Sequence, residues 1–299
     1  MTKSSIWRGV IPAITTPFSA DGKVDHDFLE KHARIMLDAG CTGMVPLGSL
    51  GEGATLGFDE KVAIMRTLVK ALDGAPVIPG IAALSTDEAV QLAREAKAVG
   101  CQGMMVLPPY VYSTDWREMG AHVSAVIAAT DLPCMLYNNP LAYKTDYVPE
   151  QLAALAAEFP NVQAVKESSG DIRRIAAIKE LIGDRLEILV GVDDIIVESI
   201  QMGATGWIAG MVNAFPKESV QLFEQAKQGS AAVTDLYNWF LPTLRLDTVP
   251  KFVQLIKLAQ DEVNLGSERV RAPRLLLEGA ERENALRIIR QAIANRPEV

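Results

Sequence analysis

VQAVKESSGD, residues 162–171, decides how the rest of the chain is read. Val162, Ala164 and Val165 make a short strand buried on both faces, the pattern of a parallel sheet covered by helices. Lys166 stands at its C-terminal end, ahead of a Ser-Ser-Gly turn and a helix that Asp171 can cap. An ammonium taken out of water is disfavoured unless it is paired or neutralised. Two readings follow. In one, the amine is kept partly neutral so that it attacks a carbonyl or imine carbon. In the other, Lys166 bends to solvent or pairs with Glu167, and the strand pattern alone does not separate the two.

Outward from this strand, short apolar strands alternate with amphipathic helices. The expected strands are 10–18, 43–48, 77–82, 103–108, 134–138, 162–167, 187–193 and 206–211. Asp25 can cap the first helix, Ser85 with Glu88 has capping-box spacing, and Pro149 suits a first helical turn. Gly40-Cys41-Thr42-Gly43, Gly100-Cys101-Gln102-Gly103 and Gly203-Ala204-Thr205-Gly206 repeat at helix-to-strand junctions, where a glycine can take the left-handed conformation that stops a helix. Eight strand–helix units predict an α/β fold, a closed (β/α)8 TIM barrel, with an open doubly wound sheet as the alternative. Beyond about Phe215 helices take over, over 231–244, 249–266 and 280–294, separated by Pro242 and by the polar stretch 266–273. No flexible linker intervenes. The expected organisation is a catalytic barrel over 1–225 and a C-terminal helical extension over 226–299 packed on it.

Composition narrows the function classes. The 299 residues are 49% hydrophobic and 22% charged with a net charge of −8, which argues against nucleic acid or an anionic membrane as partner. No apolar run reaches about 18 residues and no signal peptide is evident, so no membrane association is expected. Cys41, Cys101 and Cys134 are too scattered for a disulfide framework or a zinc knuckle, which suggests a reducing, cytoplasmic compartment. His26, His32 and His122 all fall on predicted helices, so neither a metal nor another cofactor is expected.

In such barrels sites form where the strand C-termini meet. Tyr137 and Lys166 end successive strands, and neighbouring strands lie about 4.8 Å apart. A lysine nucleophile and a tyrosine that carries protons could therefore face one bound carbon. The bland reading of Tyr137 is an interior aromatic with a satisfied hydroxyl. Between Gly48 and Gly53 the turn offers backbone N–H groups for a carboxylate or phosphate, although glycine also serves loop geometry alone. Asp193 and Asp194 are expected to cap the following helix.

TTPF near the start, GSLGE (48–52), YNNP (137–140), VKESSGD (165–171) and GVDD (191–194) together resemble the dihydrodipicolinate synthase / N-acetylneuraminate lyase family of class I aldolases, over nearly the whole chain. The resemblance implies a homo-oligomeric barrel, tetramer or dimer, acting on a small 2-oxo acid or cyclic imino acid. By it, Lys166 is the Schiff-base lysine and Tyr137 the proton-transfer tyrosine. Ser49 links that tyrosine to solvent, and the amides of Ser49 and Leu50 hold the substrate carboxylate. Gly48, Asn139, Gly191, Ile208 and Tyr110 are carried over as substrate-binding positions, Tyr110 matching a tyrosine contributed across a dimer. The synthases carry an arginine where this chain has Ala142. YNNPLAYKTD (137–146), GWIAGMVNAFPKE (206–218) and YNWFLPTLRLDT (237–248) are similar instead to the branch that deaminates Δ1-pyrroline-4-hydroxy-2-carboxylate. A synthase or other 2-oxo acid aldolase, and a silent metabolite-binding member, are the alternatives.

Overall fold

Apolar runs bounded by glycine, proline and capping residues set the elements of the computed structural model, which describes residues 5–109, 111 and 115–298. The chain begins with β1 (Gly9–Pro12), α1 (His26–Asp38), α2 (Phe58–Leu72), β2 (Gly80–Ile81) and α3 (Thr86–Ala98). β3 (Met104–Val106), α4 (Trp116–Ala128), β4 (Cys134–Asn138), the single turn α5 (Pro140–Tyr143) and α6 (Pro149–Glu158) follow. Next come β5 (Val162–Glu167), α7 (Arg173–Ile182), β6 (Glu187–Val190), α8 (Ile196–Gln201), β7 (Gly206–Ala209) and α9 (Pro216–Gln228). Three helices close the chain: α10 (Val233–Leu244), α11 (Phe252–Glu262) and α12 (Gly279–Ala294).

The named strands form one parallel seven-stranded sheet in the order β1-β7-β6-β5-β4-β3-β2. Both edges are bonded to the same stretch, since Ala13 bridges Val45 and Met44 bridges Val77. The expected strand over 43–48 is thus reduced to two bridged residues. Pro46 has no N–H to donate, and Leu47 turns the chain away at φ 65°. Pro12, Pro76 and Pro79 shorten β1 and β2 for the same reason.

Local signals behave as their chemistry requires. The Asp25 carboxylate accepts from the Phe28 N–H at 2.9 Å, and Ser85 Oγ accepts from the Glu88 N–H at 3.2 Å. Gly40, Gly100 and Gly203 have φ of 103°, 92° and 102°. Pro242, expected to break the C-terminal helices, lies inside α10 instead. Its ring is exposed, so the carbonyl that loses an N–H partner can turn to water.

A buried polar network ties α11 to the strand ends. Thr15 Oγ1 donates to Gln260 Oε1 at 2.9 Å, and the Thr15 N–H donates to Asn213 Oδ1 at 3.2 Å. His32 on α1 places Nε2 3.3 Å from Asn213 Oδ1 and 3.2 Å from Gln260 Nε2. Burial pulls the His32 imidazole down to about 4. An unfolded histidine near 6.5 binds a proton that the folded one refuses, so stability is present above pH 6.5 and is lost as pH falls towards 4. The expected loss is roughly 3 kcal/mol across that window. Urea titrations at pH 7 and pH 4 check it, and His32→Gln should remove this part of the pH dependence. Among the described residues no helix is long and apolar enough to cross a membrane.

Candidate active site

Strand register brings the central pair together. Tyr137 on β4 lies opposite Lys166 on β5, and both are buried. Lys166 Nζ sits 4.1 Å from the centroid of the Tyr137 ring. Glu167 does not pair with it. Successive side chains of a strand point to opposite faces, and Glu167 accepts instead from Asn138 Nδ2 at 3.0 Å and the Ser169 N–H at 2.6 Å. Burial raises the Glu167 carboxyl above its usual range.

Gly191 makes room for the lysine. A Cβ there would stand 2.2 Å from Lys166 Cε and 2.1 Å from Ser168 Oγ, so a side chain at 191 would displace both. The Ser168 hydroxyl is buried and has no hydrogen-bond partner among the described residues. A hydroxyl left unpaired in the interior costs about 1–3 kcal/mol, which a bound ligand would recover. Ser168 was not singled out from the sequence, although it stands two residues past the lysine.

Tyr137 Oη accepts from Asn139 Nδ2 at 3.0 Å. The Asn139 carbonyl Oδ1 accepts from the Ala142 N–H at 3.0 Å and so caps α5, with Pro140 at its first position. That single turn carries Tyr143 back over Tyr137, the rings meeting edge to face at 5.7 Å and 90°. The Ser49 hydroxyl bonds to the Tyr143 hydroxyl. Ser49 was expected on Tyr137; the Asn139-capped turn interposes Tyr143. The signal was present in the Asn-Pro pair, a cap followed by a first-turn proline, which predicts a helical turn here.

On the other side lies the GSLGE loop. Gly48 and Leu50 are buried, and neither the Ser49 nor the Leu50 N–H bonds to a backbone carbonyl among the described residues. The loop ends on Glu52, a non-glycine residue at φ 53°. Its fully buried carboxylate accepts from Lys257 Nζ at 2.6 Å and the Arg271 N–H at 3.0 Å. The C-terminal segment therefore holds the loop.

Asp193 does not cap a helix as expected. Its carboxylate turns inward to accept from Trp207 Nε1 at 2.8 Å, the Gly210 N–H at 3.1 Å and the Met211 N–H at 2.7 Å. Three convergent donors at the end of β7 outweigh a solvated cap. Burial lifts Asp193 to about 6 against those donors and the nearby Lys166 charge. Asp194 faces Arg245 at 3.8 Å. Ile208 is buried on β7, and Tyr110 lies outside the described residues.

The geometry has counterparts among known proteins. The Dihydrodipicolinate synthetase family profile matches residues 6–292. A 4-hydroxy-tetrahydrodipicolinate synthase of Natronomonas pharaonis is 32% identical over 292 residues, covering 95% of this chain and 97% of that protein. One of Geobacter metallireducens is 30% identical over 291 residues, covering 96% and 99%. A dihydrodipicolinate synthase of Bacillus anthracis superposes with a TM-score of 0.91 at 26% identity, covering 98% and 99%. A prophage protein of the dihydrodipicolinic acid synthase family from E. coli K12, solved in complex with pyruvate, has a TM-score of 0.89 at 25% identity, covering 97% and 99%.

Proposed function

The chain belongs to the dihydrodipicolinate synthetase family of Schiff-base lyases, and from that premise we propose that it opens and deaminates Δ1-pyrroline-4-hydroxy-2-carboxylate, giving 2-oxoglutarate semialdehyde and ammonia. The observation that carries this reading is Ala142. It is exposed on the turn that roofs Tyr137 and presents a methyl group where the synthases, by the resemblance above, carry an arginine for a second carboxylate. A site without that guanidinium suits one substrate with one carboxylate.

The chemistry follows from the residues present. The Lys166 amine attacks C2 of the cyclic imine, and the ring nitrogen takes one proton from Tyr137 and one from the attacking amine as the C2–N bond breaks. An iminium to Lys166 and a free chain amine result. The phenolate then takes the C3 proton that the iminium acidifies, leaving an enamine. Loss of the C4 hydroxyl, isomerisation to a terminal imine and two hydrolyses release ammonia, the aldehyde and the lysine. Ser49 and Leu50 are assigned to the substrate carboxylate, and Gly48, Asn139, Gly191 and Ile208 to the pocket wall. We place this enzyme in the cytoplasm as a homo-oligomer, on an eight-stranded barrel with the three C-terminal helices as an extension.

The names of the relatives favour a second reading, condensation of pyruvate with an aldehyde. One assay separates the two. Purified protein should release ammonia from the hydroxylated pyrroline carboxylate and should condense pyruvate with aspartate semialdehyde poorly. Efficient condensation without ammonia release would move the assignment to the synthases.

A further inference from the structure

Two carboxyl groups meet at Gly210, where β6 and β7 end near the strand that carries Lys166. Asp193 comes from the turn after β6 and is held by Trp207, Gly210 and Met211. Asp247 comes from the turn after α10, over 80 residues from the lysine in sequence. Its Oδ1 lies 2.5 Å from where a Cβ on Gly210 would stand, so glycine at 210 is what admits it. The charge of Lys166 acts on both groups. Burial, then repulsion from Asp193, push Asp247 well above the carboxylate range. Two carboxyl groups gathered at one glycine oppose each other's ionisation, which favours a proton held on the pair.

An independent observation points to a ligand at the same lysine. The Ser168 hydroxyl, 1% exposed and unpartnered among the described residues, crowds Gly191 together with Lys166 Cε. The strand ends thus gather Lys166, an orphan hydroxyl next to it, and a pair of acids at Gly210, of which Asp193 is tied up by three donors. Such an arrangement suits a lysine-bound chain bearing a hydroxyl.

We propose that Asp247 is the acid of the dehydration step, donating its carboxyl proton to the hydroxyl that leaves the lysine-bound substrate. The proposal rests on the deaminase reading and names the group that reading leaves open. The enamine electron pair moves to form C3=C4, and the C4–O bond breaks with its pair going to oxygen. That oxygen takes the Asp247 proton and departs as water. The nitrogen on C2 becomes an iminium again, and Asp247, now a carboxylate, regains a proton from solvent.

Wild type, Asp247→Asn and Asp247→Glu are compared on the hydroxylated pyrroline carboxylate, each quenched with borohydride and the Lys166 peptide weighed. Pyruvate trapping in parallel reports whether the lysine site is intact. The expected result is that D247N traps pyruvate like wild type but releases ammonia at least about 100-fold more slowly, with KM changed less than about threefold. Its substrate adduct should keep the hydroxyl and weigh one water more than the dehydrated adduct, and D247E should recover part of the rate. Wild-type turnover in D247N, or loss of pyruvate trapping with turnover, overturns the proposal and leaves the deaminase reading standing. No ammonia from wild type overturns both.

Discussion

Lys166→Ala is expected to abolish turnover, by about 10⁴-fold or more, while the protein stays folded. Removing a covalent nucleophile costs far more than removing an orienting group, because the reaction loses its intermediate. Lys166 is 6% exposed and touches the Tyr137 ring, and its aliphatic carbons fill the space that Gly191 leaves. Truncation opens a small cavity but also removes a buried amine, so the stability change should stay within about 2 kcal/mol. Circular dichroism and urea unfolding read the fold, and ammonia release reads the chemistry. Substantial activity in the folded variant would exclude the covalent route.

Lys257→Met should have the largest effect on stability. The Lys257 amine donates to Thr16 O at 2.8 Å, Glu52 Oε1 at 2.6 Å and Arg269 O at 2.7 Å, and lies 4.5 Å from the centroid of Phe18. Its side chain is 2% exposed and that of Glu52 is fully buried. Burial lowers Lys257 from the usual lysine range, with Glu52 opposing. Methionine matches the volume but leaves the Glu52 carboxylate, among the described residues, with the Arg271 amide and Arg274, which stands at 3.6 Å. Breaking a buried pair from one side costs about 3–5 kcal/mol. Replacing both residues, Lys257→Met with Glu52→Gln, should cost less than the sum of the two single changes. The GSLGE loop should loosen with the pair, so KM should rise in the single variant more than kcat falls. A loss under about 1 kcal/mol would show that the pair is not what holds the loop.

The centre of the site was legible because strand periodicity is short-range. Tyr137 and Lys166 close two consecutive apolar runs, and parallel pairing of those runs brings their ends level. What the sequence hid depended on direction and on chain reversal. Asp193 looks like a cap until the end of β7 supplies donors that turn it inward. Tyr143 reaches Ser49 only because Asn139 caps a single helical turn between them. Asp247 belongs to a helical region whose contact with the strand ends passes through a missing side chain at Gly210. The stretch over 43–48 read as a strand from its apolar residues, whereas Pro46 and the left-handed Leu47 limit it to two bridges. Residue type was readable; facing was not.

The most direct test of the central claim is borohydride trapping on the intact protein, first with pyruvate and then with the hydroxylated pyrroline carboxylate, followed by mapping of the modified peptide. A Schiff base at Lys166 predicts one reduced adduct per chain, on the peptide containing VKESSGD, and none in Lys166→Ala. An adduct on a different lysine, or catalysis that borohydride leaves untouched, would contradict it.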